Sequence, residues 1–207
     1  MRRFDTNVRT VNKAWLIVLA EHLKIDTRNP AELFRVAMSR IEENIGELTR
    51  DPNNLDAGGN FSFKKAKENL FEKSSDAELQ ELLGSLNRFG ASINNRAQVS
   101  QVRQSAKRGD KNVRTVNKAW LLIMAEHLNI TSISQWRSIA MQRVNENIEE
   151  MAQDERNVDA NGNFCINQAK RNLFTAKTEK EREELSKHIE GFGAAITRNL
   201  NKNTIAK

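Results

Sequence analysis

The stretch NVRTVNKAW occupies residues 7–15 and recurs unchanged at residues 112–120. The likeness extends on both sides, because about 16 of the 21 residues from 5 to 25 are identical to their counterparts from 110 to 130. Later segments also match: residues 43–61 with 146–164, 66–71 with 169–174, and 88–93 with 191–196. The chain is therefore predicted to contain two copies of one unit of about 100 residues.

These matches divide the 207 residues into three parts. We expect copy 1 to span residues 1–95 and copy 2 to span residues 110–207. Residues 96–109 would form a basic linker or a connecting helix between them. A chain of this length can fold as one large domain or two small ones, so the sequence leaves open whether the copies pack together.

Apolar residues recur at helical spacing through each copy, and no segment shows sustained strand alternation. Capping residues predict where helices begin: Asp5 or Asp110 for the first helix, Asn29 with Pro30 for the second, and Ser75 for the fourth. The apolar stripes of copy 1 are, helix by helix, Val8, Val11, Trp15, Val18 and His22; Phe34, Met38, Ile41, Ile45 and Leu48; Phe61, Phe63, Ala66, Leu70 and Phe71; and Leu79, Leu82, Leu86, Phe89 and Ile93. The predicted fold class is all-α, a tandem duplication of a four-helix unit with bundle-like packing.

Composition narrows the class of protein. Hydrophobic residues at 38% and charged residues at 29% are typical of a globular protein, which argues against intrinsic disorder. The single cysteine, Cys165, cannot form an intrachain disulfide, which favours the cytoplasm as the compartment. No apolar run approaches the roughly 20 residues that a membrane span needs, so no transmembrane segment is predicted.

The repeated stretch is the first candidate binding site. Arg9 and Lys13, matched by Arg114 and Lys118, lie near helix N-termini, where the macrodipole makes cations mildly unfavourable. Helix stability therefore does not explain them. Together with Asn12 and Asn117 they predict a surface that binds a protein partner or an anion. For the two asparagines, which lie next to stripe positions, a structural role in fixing helix register is the favoured alternative. The alternative is that the cations pair with acids of the same or the other copy, such as Glu43, Glu47 or Asp51.

The segment between the copies is the second candidate site. Net charge is +6, and residues 96–118 hold the excess, with Arg103, Lys107 and Arg108 between the copies. This segment and the basic helix N-termini can together bind nucleic acid or an anionic membrane surface. Because binding releases counterions, the affinity would fall as the salt concentration rises. Against this function, base stacking would need aromatic residues, which this segment does not contain.

A third candidate is the loop NVDANGNFCINQ at residues 157–168, which resembles an EF-hand calcium loop. Oxygen-bearing side chains stand at its first, third and fifth positions and Gly162 at its sixth. The resemblance implies a calcium site as a minor alternative function. The loop departs from the pattern because it begins with Asn157, ends with Gln168 and brings one carboxylate, Asp159, whereas calcium requires several.

No residue pattern predicts catalysis. His22 and His127 occupy matching places on the first helices, and His188 stands alone. None has a second metal ligand or a nucleophile at a suitable spacing. We therefore predict a protein that is not an enzyme and uses no cofactor. The favoured function is a helical-repeat module that binds another protein through a surface presented twice, with polyanion binding as the alternative.

Overall fold

The computed structural model describes residues 3–25, 28–71 and 106–174, together with Lys180. This part of the chain is mostly helical and contains no β-strand, which confirms the all-α class. The predicted fourth helix of copy 1, which begins at Ser75, and that of copy 2, apart from Lys180, lie outside the described residues.

The described helices occur in two matching sets of three. The first set is α1 (Arg3–His22), α2 (Pro30–Arg50) and α3 (Phe63–Phe71), and the second is α4 (Ala106–His127), α5 (Ile133–Gln153) and α6 (Ile166–Phe174). A single 3₁₀ turn follows α2 at Pro52–Asn54 and α5 at Glu155–Asn157. Both ends of α5 and α6 are shifted by the same 103 residues from α2 and α3, so matching sequences adopt matching elements.

Helix ends follow local chemistry, with one correction. The side chain of Asn29 accepts hydrogen bonds from the backbone N–H groups of Ala31 and Glu32, and Pro30 opens α2, as predicted. The predicted caps at Asp5 and Asp110 are wrong, because α1 begins at Arg3 and α4 at Ala106. Helix α4 thus takes in the last residues of the predicted linker.

The helices pack chiefly across the two copies, with α1 against α4 and α2 against α5. Because α1 has neighbours on several sides, all of its residues from 14 to 20 are buried rather than one stripe of them. Residues of both copies contribute to one continuous hydrophobic core. The question that the sequence left open is thereby answered: the copies pack together.

The predicted stripe of α2 is partly wrong. Leu33 and Ala37 are fully buried, whereas Phe34 and Met38 are half-buried and pack at the edge of the core. The later stripe positions from Ile41 onward are buried as predicted. The face toward the core is therefore rotated by one residue at the start of α2, a helix that packs chiefly against α5 of the other copy.

Candidate functional site

The cations of the repeated stretch in copy 1 form ion pairs with α5 of copy 2. Arg9 Nη2 lies 3.3 Å from Glu146 Oε2, and Arg9 Nη1 donates to Glu150 Oε1. Lys13 Nζ contacts the other carboxylate oxygen of Glu150. Two cations one turn apart on α1 thus face two acids one turn apart on α5.

The matching residues make the same contacts in the opposite direction. Arg114 Nη2 lies 3.0 Å from Glu43 Oε2, and Arg114 Nη1 lies 2.8 Å from Glu47 Oε1. Lys118 Nζ contacts the second oxygen of Glu47. Contacts in which residue i of one unit meets residue j of the other, and j meets i, are the mark of an isologous interface.

A further pair of reciprocal contacts extends this interface to α3 and α6. Lys67 Nζ lies 2.8 Å from Glu126 Oε1, and the matching Lys170 Nζ lies 3.0 Å from Glu21 Oε1. We call the surface that carries all these ion pairs and the core beneath them the inter-copy face. Among the described residues, six cations and six acids, three of each per copy, form the reciprocal part of its charged rim. One further ion pair between α5 and α2, Arg137 with Glu42 at 2.7 Å, has no counterpart on the other side.

The side chains of the rim are half-exposed, which limits how much their ion pairs stabilise the fold. The side chains of Arg9 and Arg114 are 21% and 29% exposed, and those of Glu47 and Glu150 are 44% and 42% exposed. Ion pairs of this kind are worth roughly 0 to 1 kcal/mol each. The rim therefore specifies which helices meet and in what register, while the apolar core beneath it supplies most of the stabilisation.

Glu150 shows the electrostatic balance at the rim. Partial burial tends to raise the pKa of its carboxyl group. The hydrogen bond and charge of Lys13, together with the charge of Arg9, outweigh this effect and hold the pKa below its ordinary value. The carboxylate is therefore ionised at neutral pH, as the ion pairs require.

An aromatic cluster lies in the apolar part of the inter-copy face. The Phe61 ring stacks on Trp136 at a centroid distance of 5.7 Å, and Phe63 meets Trp136 edge-on at 4.9 Å. The indole Nε1 of Trp136 donates to the carbonyl of Leu121 at 3.0 Å. Sequence reasoning missed Trp136, because copy 1 has Leu33 at the matching position and the periodicity of α5 was weak there.

The matching positions on the other side of the face carry different apolar residues. Phe164 and Ile166 of copy 2 correspond to Phe61 and Phe63, and Leu33 of copy 1 corresponds to Trp136. All three are buried. One side of the face therefore has three aromatic rings, and the other has one ring and two aliphatic side chains.

The two repeated tryptophans also differ. Trp15 Nε1 of α1 donates across the face to the carbonyl of Val113 in α4, at 3.1 Å. Trp120 Nε1 is buried and has no hydrogen-bond partner among the described residues. Identical sequence therefore gives unequal hydrogen bonding in the two copies.

Asn12 and Asn117, for which the sequence allowed either a binding or a structural role, lie in the interior. Each is 1% exposed, and so are the matching pair Asn44 and Asn147 on α2 and α5. Their positions beside the rim cations made them candidates for contact with a partner, but their amides face the core. Buried asparagines of this kind can fix helix register, as a single asparagine does in coiled coils.

The residues of the EF-hand-like loop are engaged within the protein. Asn157 Nδ2 donates to the carbonyl of Met151 at 2.8 Å, and Asn157 Oδ1 accepts from Asn172 Nδ2 at 3.0 Å. Asp159 Oδ1 accepts hydrogen bonds from the backbone N–H groups of Asn163 and Asn161. These two bonds, chiefly that of Asn163, hold the pKa of the Asp159 carboxyl group below its ordinary value. Across the described ranges, no group of three His, Cys, Asp or Glu residues is arranged to hold a metal ion.

A polar groove of about 200 Å³ opens beside the Lys13–Glu150 pair at the end of α5. Arg156 Nη2 lies 2.8 Å from Asp154 Oδ2, and this hydrogen bond lowers the pKa of Asp154. Asn157, which also lines the groove, bonds Asn172. The polar side chains of the groove thus pair with one another, and the geometry indicates a structural role.

The histidines, the cysteine and the basic segment between the copies are the other candidates from the sequence. His22, His127 and the Cys165 thiol are half-buried. Lys107 and Arg108 lie on α4, where the structure describes only their backbone. Arg103 and His188 lie outside the described residues. None of the described helices is long and apolar enough to cross a membrane.

Comparison with known proteins gives no relative. No family model, no curated protein and no solved structure matches this chain.

Proposed function

We propose that the chain is a tandem duplication of one four-helix unit and acts as a non-catalytic interaction module, which binds another protein through a surface presented twice. The observation that carries this proposal is the reciprocal set of ion pairs across the inter-copy face. Contacts of this kind hold the two copies in one arrangement, so that matching surface elements become a fixed pair. Cysteine usage favours the cytosol as the compartment for this role.

The surface element that fits best is the loop after each 3₁₀ turn. In copy 1, residues 56–60 are all exposed, and Asp56 Oδ1 accepts from the backbone N–H groups of Gly58 and Asn60 at 2.8 and 2.9 Å. In copy 2, residues 159–163 are closed by the same bonds to Asp159. An exposed loop that is closed by its own side chain is rigid enough to recognise a partner at little cost in conformational entropy.

The backbone of the two loops is also alike. Gly59 and Gly162 both have φ of +78°, a conformation that favours glycine. Short antiparallel bridges, Leu55 with Phe61 and Val158 with Phe164, close the base of each loop. The module thus offers one loop shape twice, which suits a dimeric or repetitive partner bound with avidity.

The rim cations then have a positioning role. Arg9, Lys13, Arg114 and Lys118 engage carboxylates of the opposite copy, so an external anion would compete with four glutamates. Direct binding of a partner by these cations stays a prediction. Their contribution in this proposal is to keep the two loops in a constant relation.

The proposal is tested by adding bulk to the loop tips. Ala57 and Ala160 are exposed and matched, so Ala57→Arg and Ala160→Arg are expected to block binding without disturbing the fold. Proteins captured from an extract by the immobilised wild-type chain would be compared with those captured by each single variant and by the double variant. We expect weaker retention with either substitution and loss with both, because avidity requires two intact loops.

A matched control adds the same two arginines elsewhere. Ala31 and Ser134 are exposed at corresponding positions in the first turns of α2 and α5. The chain carrying Ala31→Arg and Ser134→Arg should retain the same proteins as the wild type. Capture that survives the double loop variant, or is lost equally with the control, contradicts the proposal.

Polyanion binding is the second candidate, and the start of α4 supports it. Because α4 begins at Ala106, Lys107 and Lys111 stand one turn apart on a helix, with Arg108 beside Lys107. Two later cations of the basic segment, Arg114 and Lys118, are already paired with Glu43 and Glu47. The candidate therefore depends on the cations that precede Arg114.

Heparin and DNA binding at two salt concentrations tests this candidate. The variant Lys107→Ala, Arg108→Ala, Lys111→Ala should reduce both the affinity and the slope of its logarithm against the logarithm of salt concentration. The variant Arg9→Ala should leave the slope unchanged. Binding that is indifferent to salt and to the triple variant removes polyanion binding.

A further inference from the structure

A small cavity lies in the inter-copy face, between α1 of copy 1 and helices α4 and α5 of copy 2. Its volume is about 10 Å³, at the lower end of the roughly 10 to 15 Å³ that one water molecule needs. Val8 of copy 1 and Trp120 and Asn147 of copy 2 are among the residues that line it. Every lining residue is identical to its counterpart in the other copy except Met124, where copy 1 has Leu19. The cavity therefore admits a water-sized molecule and excludes an organic ligand.

Two residues of this lining each have a buried polar atom with no hydrogen-bond partner among the described residues. One atom is the indole Nε1 of Trp120, a donor on a residue that is 2% exposed. The other is Oδ1 of Asn147, an acceptor on a residue that is 1% exposed. Asn147 Nδ2 donates to the carbonyl of Arg143 at 2.8 Å, and this bond fixes the orientation of the amide. Because buried polar groups nearly always have a partner, a donor and an acceptor beside one cavity indicate a ligand that can serve both.

The opposite side of the face identifies a third polar group for such a ligand. There, Trp15 Nε1 donates directly to the carbonyl of Val113 at 3.1 Å. The counterpart of Val113 in copy 1 is Val8, which lines the cavity beside Trp120. A backbone carbonyl has two lone pairs, so the carbonyl of Val8 can serve a helix hydrogen bond and one further donor. Trp120 thus faces the same type of acceptor as Trp15 without bonding it directly.

We propose that this cavity is a binding site for one ordered water molecule that links the two copies. The water accepts a hydrogen bond from Trp120 Nε1 and donates to Asn147 Oδ1 and to the Val8 carbonyl. Three hydrogen bonds are typical of a buried water. The bridge replaces the direct bond of Trp15 and stabilises less, because ordering a water molecule costs entropy. The site goes beyond the proposed binding module, since it requires no partner protein.

The three tryptophans of the chain provide a test with its own controls. Trp15 Nε1 and Trp136 Nε1 donate directly to backbone carbonyls, whereas Trp120 Nε1 has no such partner among the described residues. In the isotope-labelled full-length chain, each indole N–H resonance is assigned by changing one tryptophan at a time to Phe. Water-selective NOE and ROE spectra are then recorded, because a water held longer than the tumbling time gives cross peaks of opposite sign in the two experiments.

We expect cross peaks of opposite sign between water and the indole N–H of Trp120, and none at Trp15 or Trp136. No cross peak at Trp120, or equal cross peaks at all three indoles, overturns the proposal. Cross peaks of the same sign in both experiments also overturn it, because they report proton exchange with bulk solvent and not a bound water.

A matched pair of variants tests the predicted acceptor. Asn147→Leu removes the amide oxygen, and Asn44→Leu makes the same change at the counterpart in copy 1, which is also 1% exposed. We expect Asn147→Leu to abolish the water cross peak at Trp120 and Asn44→Leu to retain it. A cross peak that persists in Asn147→Leu, or is lost equally in both variants, overturns the proposal. The resonances of Trp15 and Trp136 report whether each variant is folded, and if Asn147→Leu is not, the comparison of the three indoles in the wild type decides.

Discussion

The two sides of the inter-copy face share a reciprocal set of ion pairs but have different interiors. Arg9 and Lys13 meet the acids of α5 as Arg114 and Lys118 meet those of α2. Beneath them, the tryptophan-centred cluster on one side is replaced by smaller side chains on the other.

The difference separates two physical roles. Half-exposed ion pairs contribute little energy but are geometrically selective, so the two copies can carry the same set. Buried side chains must fit closely against their neighbours. Where one copy has a large residue and the other a small one at the same position, the residues around the two positions therefore differ as well. The two sides therefore share their ion pairs and differ in the buried volumes beneath them.

The largest expected effect distinguishes the two interiors. Trp136→Ala should reduce the free energy of unfolding by about 3 to 5 kcal/mol, because it removes a fully buried indole. Leu33→Ala at the matching position should cost less, about 2 to 3 kcal/mol. Urea denaturation of both variants measures the difference, and a larger cost at Leu33 would show that the two sides are not as described.

The repeated tryptophans give the next largest effect. Trp15→Phe removes the hydrogen bond to the Val113 carbonyl, whereas Trp120→Phe removes a donor that has no partner in the described part of the chain. The first should cost about 1 kcal/mol more than the second, the usual worth of a buried hydrogen bond. Equal denaturation midpoints and slopes for the two variants would contradict the difference in hydrogen bonding between the two tryptophans.

Acid should weaken the rim in a predictable direction. The pKa of Glu150 is lowered in the folded protein from its ordinary value of 4.5. The stabilisation from this carboxylate is therefore present above about pH 4.5 and is lost as the pH falls through the lowered pKa. Since Glu150 is half-exposed, Glu150→Gln should cost less than about 1 kcal/mol at pH 7, and the cost should shrink as the pH falls through the lowered pKa. A cost of Glu150→Gln that grows on acidification would contradict the lowered pKa of Glu150.

Calcium should have the smallest effect of all. The loop at residues 157–168 directs Asn157 into the core and uses Asp159 to close its own backbone. Millimolar calcium should therefore leave the melting temperature unchanged, both in the wild type and in Asp159→Asn. A rise in the wild type alone would restore the calcium hypothesis.

Sequence periodicity predicted the helical class and the matching order of elements, because matching stretches of sequence carry similar local signals for helix and turn. The cap at Asn29 with Pro30 is borne out, and Ser132 takes its place in copy 2. The caps at Asp5 and Asp110 failed, since an N-cap signal competes with helix extension and one sequence cannot show which prevails.

Packing between the copies could not be predicted in the same way. Periodicity identifies an apolar stripe but not the helix that covers it. The predicted stripes therefore left out Leu33 and Trp136, which are fully buried, and included Phe34, which is only half-buried. The rim cations were singled out because identical polar residues needed an explanation. Their partners are glutamates one copy away, and no local pattern distinguishes a partner in the same copy from one in the other.

The central claim is that the rim pairs residues between copies, and charge-reversal cycles test it most directly. Lys13→Glu should destabilise the chain, and adding Glu150→Lys should recover about 1 kcal/mol, with the same result for Lys118→Glu and Glu47→Lys. Combining Lys13→Glu with Glu47→Lys, the acid of its own copy, should recover nothing. Recovery by Glu47→Lys in place of Glu150→Lys would contradict the account, because the ion pairs would then lie within each copy and not between them.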